Sequence, residues 1–208
     1  MNLPFREVAV NDRPRFWIIG GPNGSGKSTL YGETKPQDFS SSIWIINPDL
    51  LTRRIQEVEG LEYMVANVSA LDRIMEWIHA SLKAHQTVGV ETVLSTDKYR
   101  AVVKEAQSYG HEICFAYVYL ATPELNIERV ALRVRKGGHD VEADKIKARR
   151  ERSLNQMTWF FEEADRAWIF DNSGEQVKLI AAKDRAPLII SDDATAEIRD
   201  RLTALFPE

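Results

Sequence analysis

The chain has 208 residues, 44% apolar and 28% charged, with a formal net charge of -4. This is the composition of a soluble globular protein, long enough for one domain with a real core, and the acid excess argues against nucleic acid as the main partner. A single cysteine, Cys114, excludes an internal disulfide and, lying in an apolar run, reads as a buried structural thiol.

Residues 1–14 carry Pro4 and Pro14 and read as an arm leading into the first strand. They hold no apolar signal core, and nowhere do 18 apolar residues run together, so no membrane span and a cytoplasmic location are expected. Phe16–Ile19 is a short, bulky, apolar segment suited to a buried strand. Behind it stands Gly21-Pro22-Asn23-Gly24-Ser25-Gly26-Lys27-Ser28, then Thr29. The spacing is that of a phosphate-binding loop: glycines let the backbone approach phosphate, Lys27 reaches the β/γ-phosphates, and the Ser28 hydroxyl is placed to ligate Mg²⁺. ATP·Mg²⁺ is the expected cofactor.

A short helix follows, interrupted by Gly32 and Pro36. Ser42–Ile46 is a second buried strand, ending in Asn47-Pro48-Asp49. An acid just past a strand's C-terminal end lies where open α/β sheets bind ligands; Asp49 either does chemistry there, caps the next helix, or does both. Leu50–Val58 and Leu61–His85 read as helices, the second with an apolar stripe of Met64, Val65, Val68, Leu71, Ile74, Met75, Ile78 and Leu82. Val88–Thr96 is the third strand. Its Glu91 is a carboxylate among apolar neighbours, costly unless paired or bound to a ligand or metal, while Ser95 or Thr96 can cap the helix Asp97–Tyr109. The strand Ile113–Leu120 contains no acid, so the metal and base work of a standard Walker B residue falls to Asp49 or Glu91.

Thr122-Pro123-Glu124 opens a helix to Arg135 that carries Arg129 and Arg133 on one face, and Gly137-Gly138-His139-Asp140 ends it. Glu142–Phe161 is a second basic helix, with Arg149, Arg150 and Arg152. The pair, residues 123–162, reads as a helical lid over phosphates, or else as a solvated basic face. Arg166–Ser173 is a strand expected beside the phosphate loop, whose Asn172 and Ser173 either line the nucleotide's base pocket or form a plain turn. Val177–Ala182 and Leu188–Ile190 read as an edge hairpin, and Asp193–Phe206 as a closing helix with a modest apolar face.

Several of these motifs, in this order, resemble one family: Gly20–Thr29, Asn47-Pro48-Asp49, Glu91-Thr92-Val93-Leu94-Ser95, Arg129-Val130 with Arg133-Val134, Gly137–Val141, Arg149-Arg150 with Arg152-Ser153-Leu154, and Ala164–Ala167 through Asp171-Asn172-Ser173. The sequence is similar to the zeta-toxin-like P-loop kinases, most closely their stand-alone branch of predicted ATPases. The resemblance implies an α/β fold, a P-loop NTPase three-layer sandwich with a mostly parallel central sheet and a helical lid, over a single domain spanning residues 1–208. It implies ATP-dependent phosphorylation of a hydroxyl on a UDP-amino sugar, UDP-N-acetylglucosamine in characterised members, and it admits an antitoxin protein as a partner. Carried over by motif, Asp49 activates the acceptor hydroxyl, Glu91 belongs to the substrate strand with Thr92 and Ser95, and Arg129 and Arg133 neutralise the phosphoryl group. The duty of a second lid arginine passes to Arg149, to Arg150 or to none, with His139 and Arg149 facing the substrate. Two other readings stay open: a nucleotide-dependent switch that binds a partner, and a nucleoside or nucleotide kinase.

Overall fold

The computed structural model describes residues 13–33, 44–137, 140–184 and 188–206. The described strands form one sheet in the order β2-β3-β1-β4-β5-β6-β7: β1 Arg15–Gly20, β2 Trp44–Ile46, β3 Val88–Thr92, β4 Glu112–Tyr119, β5 Arg166–Asp171, β6 Lys178–Asp184 and β7 Leu188–Ile190. Strands β2, β3, β1, β4 and β5 run parallel, β6 pairs antiparallel with β5, and β7 pairs antiparallel with β6 as the expected edge hairpin. Parallel strands covered on both faces read as near-continuous apolar runs, and β4 is buried along its whole length.

The helices are α1 Lys27–Glu33, α2 Pro48–Glu59, α3 Tyr63–Lys83, α4 Lys98–Ser108, α5 Pro123–Arg135, α6 Ala143–Glu163 and α7 Ala196–Thr203. Alternate strand residues face opposite ways. Phe16, Ile18, Phe115, Tyr117 and Ile169 join the main core with side chains of α3, α4, α6 and α7. Trp17, Cys114, Ala116, Trp168 and Phe170 form a smaller cluster on the other face, where Leu30 of α1 packs. Cys114 is fully buried there, and burial pushes its thiol pKa far up, as a structural thiol requires.

Register positions the site. Ile19 lies beside Glu91, and Gly20 is level with Thr92 on one side and Tyr117 on the other. Ile46 pairs with Val90, so Asn47 emerges level with Glu91. The phosphate loop, Asn47 and Glu91 therefore share the C-terminal edge of the sheet, where open α/β sheets bind ligands.

Five readings need correction. The second strand is an edge strand of Trp44–Ile46 in which Ile45 and Ile46 are half-buried, with 42 and 43 outside the described residues. The stripe on α3 splits: Ile74, Ile78 and Leu82 are buried, but Met64, Val65 and Val68 are more than half exposed, because Ala66 and Ala70 are the residues that meet Ile55 of α2. Strand β4 does start on an acid, Glu112, but at the far end of the sheet, buried against Arg15 at 3.0 Å and remote from any Walker B role. Strand β5 is separated from β1 by β4, and only the turn after it reaches the phosphate loop. Finally, α6 is half core helix: Leu154, Met157, Phe160 and Phe161 pack into the main cluster, so its C-terminal half is not free to swing as a lid.

Candidate active site

Lys27 is 7% exposed, and its Nζ donates to the carbonyls of Gly21 at 2.7 Å and Pro22 at 3.0 Å. Burial pushes its pKa down, the carboxylates of Glu91 and Asp49 push it back up, and Arg133 lowers it again. The ammonium thus sits in the field of the same three charged groups expected to do chemistry. Gly26 holds φ +92°, a conformation in the left-handed half of the map, and a methyl group there would collide with the Asn172 amide.

The loop is braced from two further elements. Asn126 of α5, fully buried, donates Nδ2 to the Asn23 carbonyl at 2.7 Å. Asn172, in the turn after β5, donates Nδ2 to the Ser25 carbonyl at 2.8 Å, while its own carbonyl accepts from Arg129 Nη2 at 2.7 Å. Asn172 therefore fastens the loop's backbone and orients Arg129. The Ser25 hydroxyl is buried without a hydrogen-bond partner among the described residues, an orphan donor inside the loop.

Ser28 Oγ donates to Glu91 Oε2 at 2.9 Å, and Asn47 Nδ2 donates to the same oxygen at 2.8 Å. Asn47 also caps α2: its Oδ1 accepts from the backbone N–H groups of Asp49 at 2.9 Å and Leu50 at 3.2 Å. The cap expected of Asp49 thus belongs to Asn47, and Asp49 sits exposed in the first turn, free to face the cleft. Glu91 is half-buried and tied to Ser28, which joins β3 to the phosphate loop.

A cleft of about 760 Å³ opens over these groups, lined by Ser28, Asn47, Asp49, Glu91, Arg129 and Arg133. Arg53, Gln56, Tyr63 and Lys136 also line it. In the sequence, Arg53, Gln56 and Lys136 go unremarked because surface side chains carry no motif, and Tyr63 reads as packing or surface. Tyr63 belongs to the electrostatics of the site: partial burial raises its phenol pKa, the Asp49 carboxylate adds to that, and Arg149 and Arg133 oppose it.

Other expected residues stand elsewhere. Thr92 Oγ1 accepts from Leu94 N at 3.0 Å, which shapes the turn after β3, and the Ser95 carbonyl accepts from Arg152 Nε at 3.3 Å. Neither lines the cleft, nor does Arg149, whose field reaches it only through Tyr63. Arg150 is buried against α7 and the end of β4, so it is not a second lid arginine. Pro22 is buried under the loop, Thr29 is exposed on α1, and His139 lies outside the described residues. Among the described residues no group of three or more His, Cys, Asp or Glu side chains is placed to hold a metal, and no helix is long and apolar enough to cross a membrane.

The AAA domain family matches residues 16–162, most of the chain, with the phosphate loop at its start and α6 at its end. The chain belongs to this family. An uncharacterised protein of Haemophilus influenzae is 27% identical over 144 residues, covering 66% of this chain and 98% of its own length. A guanylate kinase of Mycoplasma genitalium is 24% identical over 162 residues, and the match spans 70% of this chain and 65% of the enzyme. Among solved structures, the AvrRxo1-ORF1:AvrRxo1-ORF2 complex aligns with a TM-score of 0.70 at 12% identity, over 94% of this chain and 65% of that chain. The same complex is known with ATP. The PezAT chromosomal toxin-antitoxin system of Streptococcus pneumoniae aligns with a TM-score of 0.58 at 18% identity, over 97% of this chain and 82% of that chain. At such identities these structures share the fold of this AAA domain, the P-loop α/β sandwich that the motifs implied.

Proposed function

We propose that this AAA domain is an ATP-dependent small-molecule kinase, zeta-toxin-like in its chemistry, that phosphorylates a hydroxyl of a UDP-amino sugar such as UDP-N-acetylglucosamine. The observation that carries the reading is the shared cleft: Asp49 and Glu91 open onto the same space as Ser28 of the phosphate loop and Arg129 and Arg133 of α5. A nucleotide switch has no use for a second carboxylate facing an open acceptor space. The solved structures with this fold include one known with ATP and one from a toxin-antitoxin system, which supports ATP as donor and leaves room for an antitoxin partner here.

Residues 21–29 hold the triphosphate, with Lys27 on the β/γ-phosphates. The donor set around Ser28 suits Mg²⁺: the hydroxyl and the Glu91 carboxylate are hard oxygen ligands, and Mg²⁺ keeps several waters and leans on substrate phosphates rather than on an all-protein cage. When bound there, Mg²⁺ supplies charge neutralisation to the phosphate oxygens. Asn47 keeps Glu91 aimed at Ser28. Asp49 accepts the proton of the acceptor hydroxyl as its oxygen bonds to the γ-phosphorus and the bond from phosphorus to the ADP oxygen breaks. A carboxylate is a weak base at neutral pH, so much of its benefit is orientation of that hydroxyl. Arg129 and Arg133 stabilise the charge spread over the equatorial oxygens, the main resource in such transfers. The end of α5 and the start of α6 act as the lid, with the rest of α6 as its fixed base.

A nucleotide acceptor is the second reading, favoured by the cations Arg53 and Lys136 in the cleft lining and by the guanylate kinase among the relatives. A phosphorylation screen of a metabolite extract, with ATP and wild type beside Lys27→Ala, tests the proposal. A new phosphorylated metabolite is expected with wild type alone; transfer that survives the loss of Lys27 contradicts the scheme, and a phosphorylated nucleotide as the sole product selects the second reading.

A further inference from the structure

The family match stops at residue 162, and what lies beyond it, β5 to α7, looks like mere closure of the sheet edge. One side chain ties that closing segment back to the nucleotide loop. Arg150 belongs to a basic stretch of α6, yet it is only 6% exposed. Its Nη2 donates to Glu197 Oε2 at 2.9 Å, to the Leu120 carbonyl at 3.0 Å and to the Ala121 carbonyl at 3.3 Å. Nη1 reaches Glu197 Oε1 at 3.4 Å, and the guanidinium lies over the Tyr119 ring. Glu197, in the first turn of α7, also accepts from the Tyr119 hydroxyl at 2.8 Å. A buried cation needs its charge and its donors answered together. Here α7 answers the charge and the carbonyls just past β4 take Nη2, while Nε has no hydrogen-bond partner among the described residues.

The segment just past β4 that Arg150 grips also holds the turn after β5, together with Tyr119. Asn172 N donates to the Tyr119 carbonyl at 3.0 Å, and Ala121 N donates to Ser173 Oγ at 2.8 Å. Asn172 in turn binds the Ser25 carbonyl in the phosphate loop and carries Arg129 on its own carbonyl. Hydrogen bonds, joined through the backbone of residues 119–121 and 172–173, thus link α7 and Arg150 to the loop and to an arginine of the cleft.

We propose that the Arg150–Glu197 pair is a positioning device for the nucleotide site: α7 fixes Arg150, Arg150 fixes the end of β4, and that end sets where Asn172 meets the loop and Arg129. Arg150 and Glu197 are positioning residues, since neither lines the cleft. The proposal rests on the reading of the loop as an ATP site and adds that the segment beyond the family match tunes it.

The test uses the full chain, a fluorescent ATP analogue for affinity, and circular dichroism to choose a temperature at which each variant is folded. Wild type and Lys27→Ala come first. If wild type binds no analogue, the ATP reading fails and takes the proposal with it; if wild type binds and Lys27→Ala does not, the remaining variants judge the positioning device alone. Arg150→Lys and Glu197→Gln are each expected to weaken binding about tenfold, the scale of a hydrogen bond to a charged group. The double variant Arg150→Lys with Asn172→Ala is expected to bind no more weakly than Asn172→Ala alone, since residues acting through one path are not additive. Lys104→Ala, which cuts a different ion pair of α6, with Glu163, leaves affinity at the wild-type value. Effects of Arg150→Lys and Asn172→Ala that multiply, or variants that lose thermal stability with unchanged affinity, overturn the proposal. Should Arg150→Lys not fold, Glu197→Gln with Asn172→Ala carries the same comparison.

Discussion

On the donor side of the cleft, Lys27 is buried and hydrogen-bonded to its own loop, and Asn126 and Asn172 fasten that loop to α5 and to the turn after β5. On the acceptor side, Asp49 is exposed, Leu50 beside it is 61% exposed, and Arg53 and Lys136 reach from helix surfaces. The difference is one of material. The triphosphate cradle is made of backbone held in place before any ligand arrives, which costs no reorganisation at the moment of reaction. The proposed acceptor site is made of side chains on α2, α3 and α5, and ordering them around a ligand draws on binding free energy. Changes on the donor side should therefore damage binding and transfer together, and changes on the acceptor side should damage transfer alone.

Lys27→Ala is the strongest test of the first half of that contrast. Steady-state transfer is expected to fall by about 10³-fold, the upper scale for losing one preorganised charge donor, with ATP binding lost in parallel. Asp49→Asn tests the second half: transfer is expected to fall about 10²-fold, the lower scale for a positioned base, while titration with an ATP analogue gives the wild-type affinity. Equal damage to both quantities in Asp49→Asn erases the distinction between the two sides.

Two glycines sharpen the point that the donor cradle is built of backbone. Gly26 and Gly60 both hold positive φ, at +92° and +68°. Gly60, the cap after α2, has open space where a side chain would go, whereas Gly26 faces the Asn172 amide. Thermal unfolding of Gly60→Ala should show a loss of about 1 kcal/mol from conformation alone. Gly26→Ala should lose about 3 kcal/mol and its ATP affinity as well, because the Asn172 contact is displaced. Similar losses in the two variants would mean that the close approach of Asn172 has no part in holding the loop.

The smallest expected effect concerns acid. Burial of Glu197 works to raise its carboxyl pKa, but the hydrogen bonds from Arg150 and Tyr119 and the charges of Arg150 and Arg201 outweigh it, so the pKa lies below the ordinary glutamate range. A depressed carboxyl contributes stability that is present above the unfolded pKa and is lost as pH falls through the folded one. The thermal midpoint should decline on acidification below the ordinary glutamate range, and Glu197→Gln should flatten that decline. An equally steep acid limb in the variant removes the pair from the account of stability.

What the sequence made legible follows the same division. The phosphate loop, Asp49 and Glu91 were readable because strand ends and glycine spacing fix where such residues lie in a parallel sheet, and the register of β1, β2 and β3 brings them together. Asn47 was hidden, since a residue before Pro-Asp gives no sign that one amide caps a helix with its oxygen and holds Glu91 with its nitrogen. Arg150 was misread because, within a basic helix, arginines look alike until α7 supplies the carboxylate that buries one of them. The stripe on α3 misled for a related reason: periodicity marks an apolar face, but α2 packs on the two alanines rather than on Met64, Val65 and Val68. Tertiary partners, not local pattern, decided each of these.

The central claim is that the two sides of the cleft complete one phosphoryl transfer. The direct measurement follows the γ-phosphate of labelled ATP, with Mg²⁺ and UDP-N-acetylglucosamine, in wild type and Asp49→Asn. The account predicts label on a sugar hydroxyl with wild type, and far less with Asp49→Asn although it still binds ATP. Label released only as inorganic phosphate, with UDP-N-acetylglucosamine and with a panel of nucleotides alike, would contradict it.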